Sequence, residues 1–163
     1  LELSNIEKFN YRLPNFLLII IFSVLFTQII FGALLAGLDG GLIYNTWPDM
    51  NGSYFPNDVN LFNIILNDLI STPSIIQFIH RKIAYIFLGL IICLNYIYFK
   101  RRLPILPILI FNLAILFQIF LGIVTLLSGA EIIFASLHQI GSIFVVSSFL
   151  YIAYRNTKLT YSF

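Results

Sequence analysis

The sequence predicts an all-α membrane protein, a bundle of four transmembrane helices. Of the 163 residues, 60% are hydrophobic and 10% are charged, and the mean hydropathy is +0.95. This composition excludes a soluble domain, whose surface needs far more charge. Four apolar runs are each long enough for the roughly 20 helical residues that cross a bilayer. The runs lack the alternation typical of barrel strands, so helices are predicted.

The predicted helices divide the chain into a bundle and its connections. The four helices are predicted at 14–36, 74–99, 104–127 and 132–154, and the bundle therefore covers 14–154. The remaining segments are a linker at 1–13, an outer loop at 37–73 and a tail at 155–163. Thr72 as N-cap and Pro73 in the first turn are typical of a helix start. Within the outer loop, apolar side chains on one face of 60–70 predict a short helix in the membrane interface.

The basic residues are distributed unevenly and predict the topology. They precede the first helix, join the second to the third and follow the fourth: Lys8, Arg12, Lys100, Arg101, Arg102, Arg155 and Lys158. The outer loop contains aspartates but no lysine or arginine. By the positive-inside rule, both termini lie on the cytoplasmic or matrix side and the long loop lies outside.

Two histidines, His80 and His138, lie inside the predicted spans at similar depth. His80 follows Pro73 by seven residues and His138 follows Ile132 by six, or about 10 and 9 Å along their helices at 1.5 Å per residue. An imidazole in hydrocarbon is costly unless it is partnered, so each is a functional candidate. Two at one depth suggest a single ligand between two helices, and a haem iron with two axial imidazoles is the first candidate. Interhelical hydrogen bonding is the alternative, whereas zinc would require further ligands.

A weak internal repeat relates the two histidines. Gln28-x-x-x-Gly32 in the first helix matches Gln118-x-x-x-Gly122 in the third, and a helix with an outer histidine follows each. The repeat predicts two helix pairs related by an axis along the membrane normal, with the imidazoles on opposite sides of one ligand. The alternative is that the glycines mark helix contacts and the glutamines bond across them.

Residues near the histidines complete the candidate site. Ala84 and Gly141 are small residues one turn from each histidine and leave room for a flat macrocycle, and Gln77 shares the face of the first histidine. Arg81 is a candidate for contacting haem propionates, with snorkelling to headgroups as the alternative. The candidate cofactor-binding residues are therefore His80, His138, Arg81, Gln77 and Gly141, with the two histidines as axial ligands of the haem iron. The spans contain no carboxylate, and no catalytic residue is expected.

Several segments resemble the haem A synthase family. They are AGLDGGLIYNTWPDMNG at 36–52, QFIHR at 77–81, the Gln118-x-x-x-Gly122-Ile123-x-Thr125-Leu126 pattern, and His138-Gln139-x-Gly141. These segments occur in the family's order and span most of 28–142.

The resemblance implies one half of an eight-helix protein made of two four-helix bundles. In the family, the second bundle holds an electron-transfer haem b on two histidines, which match His80 and His138. The first bundle binds haem o and carries a catalytic glutamate. The reaction oxidises the C8 methyl of haem o to a formyl group, giving haem A for cytochrome oxidase. The chain matches the second bundle alone, so we expect the C-terminal half of an oxidoreductase that is incomplete by itself.

Other functions and partners follow from the same residues. The alternatives are a self-standing bis-histidine membrane cytochrome b that only transfers electrons, and a structural bundle without haem. Expected partners are the missing N-terminal bundle that binds haem o, membrane lipids and an electron donor. Homo-oligomerisation stays open, and no nucleic-acid partner is expected. The expected location is a bacterial inner membrane, with the mitochondrial inner membrane as the alternative.

Overall fold

The computed structural model describes residues 12–59 and 71–158, and its main elements are four long helices. These are α1 (Asn15–Gly37), α2 (Pro73–Lys100), α3 (Ile105–Leu127) and α4 (Ile132–Lys158), with a short 3-10 helix at Gly40–Leu42. Each long helix has the length and composition needed to cross a membrane. An isolated bridge between Met50 and Ser53 is the only β pairing among these described residues. The prediction of an all-α, four-helix membrane fold is confirmed.

The start of α2 differs in detail from the expectation. Thr72 occupies the N-cap, but its side chain makes no capping hydrogen bond. Its backbone oxygen accepts a hydrogen bond from Ile76 N at 3.1 Å instead, and Ser74 Oγ donates to Asp58 Oδ2 at 2.6 Å. The first turn of α2 is thereby attached to the preceding loop. The predicted interface helix at 60–70 lies outside the described residues.

The four helices form two hairpins, and the main core lies at one end of the bundle. Contacts are most extensive within the pairs α1–α2 and α3–α4. The buried core comes from the first halves of α1 and α3 and the second halves of α2 and α4. Its largest fully buried members are Ile21, Leu94, Ile108, Phe111, Phe149 and Ile152. We call this end the inner end, because the predicted topology places it towards the basic connections. The histidines lie in the opposite, outer half.

Polar contacts tie the inner end together. Asn156 Oδ1 accepts a hydrogen bond from Leu13 N at 2.7 Å, and Asn156 Nδ2 donates to Leu13 O at 3.2 Å. Between α2 and α3, Asn95 and Asn112 exchange amide hydrogen bonds of 3.1 and 2.7 Å. Such pairs satisfy amides that hydrocarbon would leave without partners. The inner end is therefore held by both apolar packing and hydrogen bonds.

Candidate functional site

His80 on α2 packs against the outer half of α1. The amide nitrogen of Gln28 lies 3.2 Å from His80 Nε2, within hydrogen-bond distance. One helical turn further along α1, Gly32 faces the ring, and a Cβ built there would lie 3.1 Å from His80 Cε1 and 3.7 Å from Nδ1. The absence of a side chain at Gly32 therefore leaves room for the imidazole of His80 against α1.

His138 on α4 has a matching position against α3. A Cβ built at Gly122 would lie 2.9 Å from His138 Cε1, closer than real Cβ atoms approach other heavy atoms. Gln118 lies one turn before that glycine, and its amide nitrogen donates to the backbone oxygen of His138 at 2.8 Å. The two hairpins thus repeat one arrangement, with a difference: Gln28 reaches a ring nitrogen and Gln118 reaches a backbone carbonyl.

Several polar atoms around the two histidines are buried without a hydrogen-bond partner among the described residues. They are Nδ1 of both imidazoles, the amide oxygens of Gln28, Gln77 and Gln118, and Nε of Arg81. Leaving a buried polar group unsatisfied costs about 1–3 kcal/mol, so this concentration points to a place that receives a ligand.

The donor set fits two axial positions of a haem better than a multi-ligand metal site. The described residues contain no group of three or more His, Cys, Asp and Glu side chains that could hold a metal ion. Two imidazoles from two similar hairpins are one of the ligand sets that can hold a haem iron. The residues present therefore fit a bis-histidine haem.

Gln77 and Arg81 hold the outer loop over this part of the bundle. Gln77 is 1% exposed, and its amide nitrogen donates to Tyr44 O at 3.0 Å. Arg81 donates to the backbone oxygens of Tyr44, Thr46 and Asp49 at 2.9, 3.0 and 2.6 Å. Both terminal nitrogens of the guanidinium are thus engaged with the loop, and Nε is the nitrogen without a partner.

A second set of hydrogen bonds fixes the far part of the loop. Tyr44 Oη donates to Asp58 Oδ1 at 2.7 Å, and the other carboxylate oxygen accepts from Ser74. Burial acts to raise the pKa of Asp58, but the hydrogen bonds from Ser74 and Tyr44 outweigh it and leave that pKa below its ordinary value. Burial, together with the hydrogen bond to Asp58, raises the pKa of Tyr44.

The loop also reaches the other hairpin. Asn45 Nδ2 donates to Leu126 O, near the end of α3, at 3.0 Å and to Gly41 O at 2.6 Å. A Cβ built at Gly41 would lie 2.8 Å from the Cβ of Ala130, in the connection between α3 and α4. The loop therefore joins the outer ends of both hairpins.

Gly141 lies on the α3 side of α4. It is buried, and a Cβ built there would overlap Gln118 Oε1. It also lines an open apolar groove between α3 and α4, with Ala114, Phe117 and Phe144 among the other lining residues. The structure therefore places Gly141 against the glutamine that bonds to the backbone of His138, whereas Gly32 and Gly122 adjoin the rings themselves.

Comparison with known proteins gives a consistent result. The model of the COX15-CtaA family, described as cytochrome oxidase assembly protein, matches residues 5–150. The chain belongs to this family. It is 55% identical over 97% of its length to the heme A synthase of Pelagibacter ubique strain HTCC1062. It is 38% identical over 81% of its length to the heme A synthase of Wolbachia pipientis wMel, and 40% over 91% to that of Orientia tsutsugamushi strain Boryong.

The chain is shorter than these relatives. The matches cover 47%, 37% and 41% of the Pelagibacter, Wolbachia and Orientia proteins. The chain therefore spans less than half the length of these relatives, in agreement with the expectation of one half of a larger protein. No solved structure matches the chain.

Sequence reasoning left several contacts of the site unassigned. It recognised the Gln-x-x-x-Gly repeat but did not name these glutamines and glycines as neighbours of the imidazoles. It also did not assign Tyr44 and Asp58 to the attachment of the loop. The signal for the repeat was available, because the same spacing precedes a histidine-bearing helix twice. The contacts of Asp58 with Tyr44 and Ser74 join residues 14 and 16 positions apart and leave no periodic pattern.

Proposed function

We propose that this chain is the haem-b-binding, C-terminal half of a haem A synthase. In this role it supports oxidation of the C8 methyl of haem o to a formyl group, the step that yields haem A for cytochrome oxidase. The observation that carries the proposal is the repeated arrangement of His80 and His138 against matching segments of two hairpins. Membership of the COX15-CtaA family and three relatives named heme A synthase support the same assignment.

His80 and His138 would hold the haem iron from opposite hairpins. When bound, a haem held by two imidazoles would supply one-electron transfer. The chain's own residues position the rings and cover the site. Gln28 contacts the His80 ring, and the outer loop is held above it by Gln77 and Arg81. Nε of Arg81 has no hydrogen-bond partner among the described residues, so it is the donor of this side chain that could bind a haem propionate.

The proposed role requires partners that the chain itself does not provide. We assign the binding of haem o and the catalytic glutamate to a second, N-terminal bundle, because the chain spans less than half of its relatives. The proposed role would also need an electron donor as a partner. The proposed location is the bacterial inner membrane, with both termini on the cytoplasmic side and the loop outside.

Absorbance spectroscopy of the chain purified in detergent tests the ligand assignment. We expect co-purified or added haem to give the sharp α and Soret bands of a low-spin, bis-imidazole b-type haem. His80→Ala and His138→Ala should each remove these bands or change them to a high-spin form. Unchanged bands in both variants, or no haem binding by the unsubstituted chain, would show that the assignment is wrong.

A chimeric enzyme tests the assignment to haem A synthase. The chain would replace the matching segment of the Pelagibacter ubique protein, to which it is 55% identical. Cells that depend on the chimera should make haem A, measured by pyridine haemochrome spectra and mass spectrometry, and His80→Ala in the chimera should abolish it. A chimera that binds haem b normally but makes no haem A, while the unaltered Pelagibacter protein does, would favour the self-standing cytochrome instead.

A further inference from the structure

We infer that Gly32 and Gly122 are positioning residues that set where the two imidazoles lie, and hence how they can ligate iron. The inference rests on the proposed haem-binding function and adds the residues that determine ring position. It follows from what a side chain at each glycine would meet. At both positions the nearest atom is Cε1 of the histidine on the neighbouring helix of the same hairpin.

The contact distances show that a side chain at Gly122 would displace its histidine ring more than a side chain at Gly32 would. A methyl group at Gly122 would lie 2.9 Å from His138 Cε1, 3.4 Å from Nδ1 and 3.6 Å from Nε2, so it would meet one whole edge of the ring. At Gly32 the corresponding distances to His80 are 3.1 Å to Cε1 and 3.7 Å to Nδ1. The imidazole must therefore move further when a methyl group is added at Gly122 than when it is added at Gly32.

The movement falls on the rings because the nearest atoms at both sites belong to the imidazoles. Outside α1 itself, the only heavy atoms of described residues within 4 Å of a Cβ built at Gly32 are two ring atoms of His80, and the three nearest to a Cβ built at Gly122 are all ring atoms of His138. The helix backbones need not separate, since rotation of the histidine side chain relieves the overlap. Rotation changes the plane of the imidazole and the direction of its nitrogens, which are the features that determine axial ligation.

The glutamines make the two positions unequal in a second way. Gln28 lies within hydrogen-bond distance of the His80 ring, so a displaced ring must also leave that contact. Gln118 bonds only to the backbone of His138, so the His138 ring has no such partner among the described residues. The glycine contact is therefore the main constraint on the His138 ring, while His80 has two.

The test compares Gly32→Ala and Gly122→Ala with Gly89→Ala as a matched control. Gly89 lies inside α2, and a Cβ built there meets nothing within 4 Å. All three substitutions gain the same helix propensity, so the control isolates the ring contact. The readouts are haem affinity from titration of the apoprotein in detergent, the g values of the low-spin ferric haem by EPR, and the melting temperature of the apoprotein.

We expect Gly122→Ala to weaken haem binding by about tenfold or more, as changes next to metal ligands commonly do. Gly32→Ala should have a smaller effect in the same direction, and Gly89→Ala should match the unsubstituted chain. The g values should shift in the order of the contact distances, because they report the mutual orientation of the two imidazole planes.

The outcomes distinguish this inference from the proposed function. If the unsubstituted chain binds a histidine-ligated haem but both glycine variants match Gly89→Ala in affinity and g values, the inference is wrong and the function stands. If the unsubstituted chain binds no such haem, both fail. If Gly122→Ala does not fold, Gly32→Ala decides, since its milder contact is relieved by a shift of a few tenths of an ångström.

Discussion

At the residue scale, Arg81 is the side chain that joins the candidate site to the loop above it. A guanidinium presents five donors in a planar fork, and here its terminal nitrogens reach three backbone oxygens of one loop. An arginine next to His80 was expected either to contact propionates or to reach the headgroups. The contacts with the loop give it a further, structural role.

Arg81→Gln should release the loop from α2. Hydrogen bonds to charged groups are each worth about 1.5–3 kcal/mol, and we expect loss of at least that much local stability between Tyr44 and Asp49. Hydrogen–deuterium exchange of these backbone amides, followed by mass spectrometry, measures the change. Lys82→Gln is the control, since the ammonium of Lys82 lies over the rings of Phe78 and Tyr85. Equal exchange in both variants would contradict the role given to Arg81.

The hydrogen bond between Tyr44 and Asp58 predicts a pH window for the stability of the loop. The folded pKa of Asp58 is lowered, so its contribution is present above the unfolded value of about 3.9 and is lost as the pH falls through the folded value. The folded pKa of Tyr44 is raised, so its contribution is present below about 10 and is lost as the pH rises through the folded value.

The loop should therefore be most stable between about pH 4 and pH 10. The exchange free energy of the Asn57 amide, which donates to Tyr44 Oη at 3.0 Å, reports this window. Asp58→Asn should weaken the loop at neutral pH and remove the loss on the acid side. Tyr44→Phe should remove the loss on the alkaline side. An exchange free energy that is independent of pH in the unsubstituted chain would contradict the prediction.

At the scale of elements, each helix hairpin supplies half of the candidate site. Helix existence follows from the length and hydropathy of the apolar runs, which is why the four helices could be predicted from sequence. The contact of Gln28 and Gly32 with His80 could not be predicted in this way. Because α1 is almost equally hydrophobic on all its faces, the sequence does not specify which face packs against α2. Only the repetition of the spacing in α3 indicated that these residues share one role.

The asparagine pair between α2 and α3 should stabilise the joint between the hairpins. Asn95→Leu and Asn112→Leu should each destabilise the bundle: the first removes the partner of both Asn112 amide atoms, and the second leaves Asn95 Oδ1 without its donor while Asn95 Nδ2 keeps its bond to Ile91 O. A double-mutant cycle should give a coupling energy of about 0.6 kcal/mol, the average for such bonds in a membrane protein, and at most about 1.7 kcal/mol. Reversible unfolding in mixed detergent micelles measures it. Additive effects of the two substitutions would show that the pair contributes no coupling.

At the scale of the whole molecule, the sequence predicts how the protein is oriented in the membrane. The packing of the helices does not test this prediction, because the same bundle could be inserted either way round. Basic residues flank the inner end and aspartates lie in the outer loop, so the loop should face away from the cytoplasm. The chain contains a single cysteine, which makes labelling straightforward. In a Cys93→Ser background, Asn51→Cys should react with an impermeant maleimide on intact cells, whereas Thr157→Cys should react only after permeabilisation. The opposite pattern would invert the topology.

The placement of the main core at the inner end has a consequence for the order of assembly. The side chains between Leu17 and Leu25 on α1 meet their partners on the other helices without any contribution from the histidines. On the proposed function, we therefore expect the inserted chain to fold before haem binds, so that haem loading is a separate, later step. The folded protein without haem should then accumulate when haem is scarce.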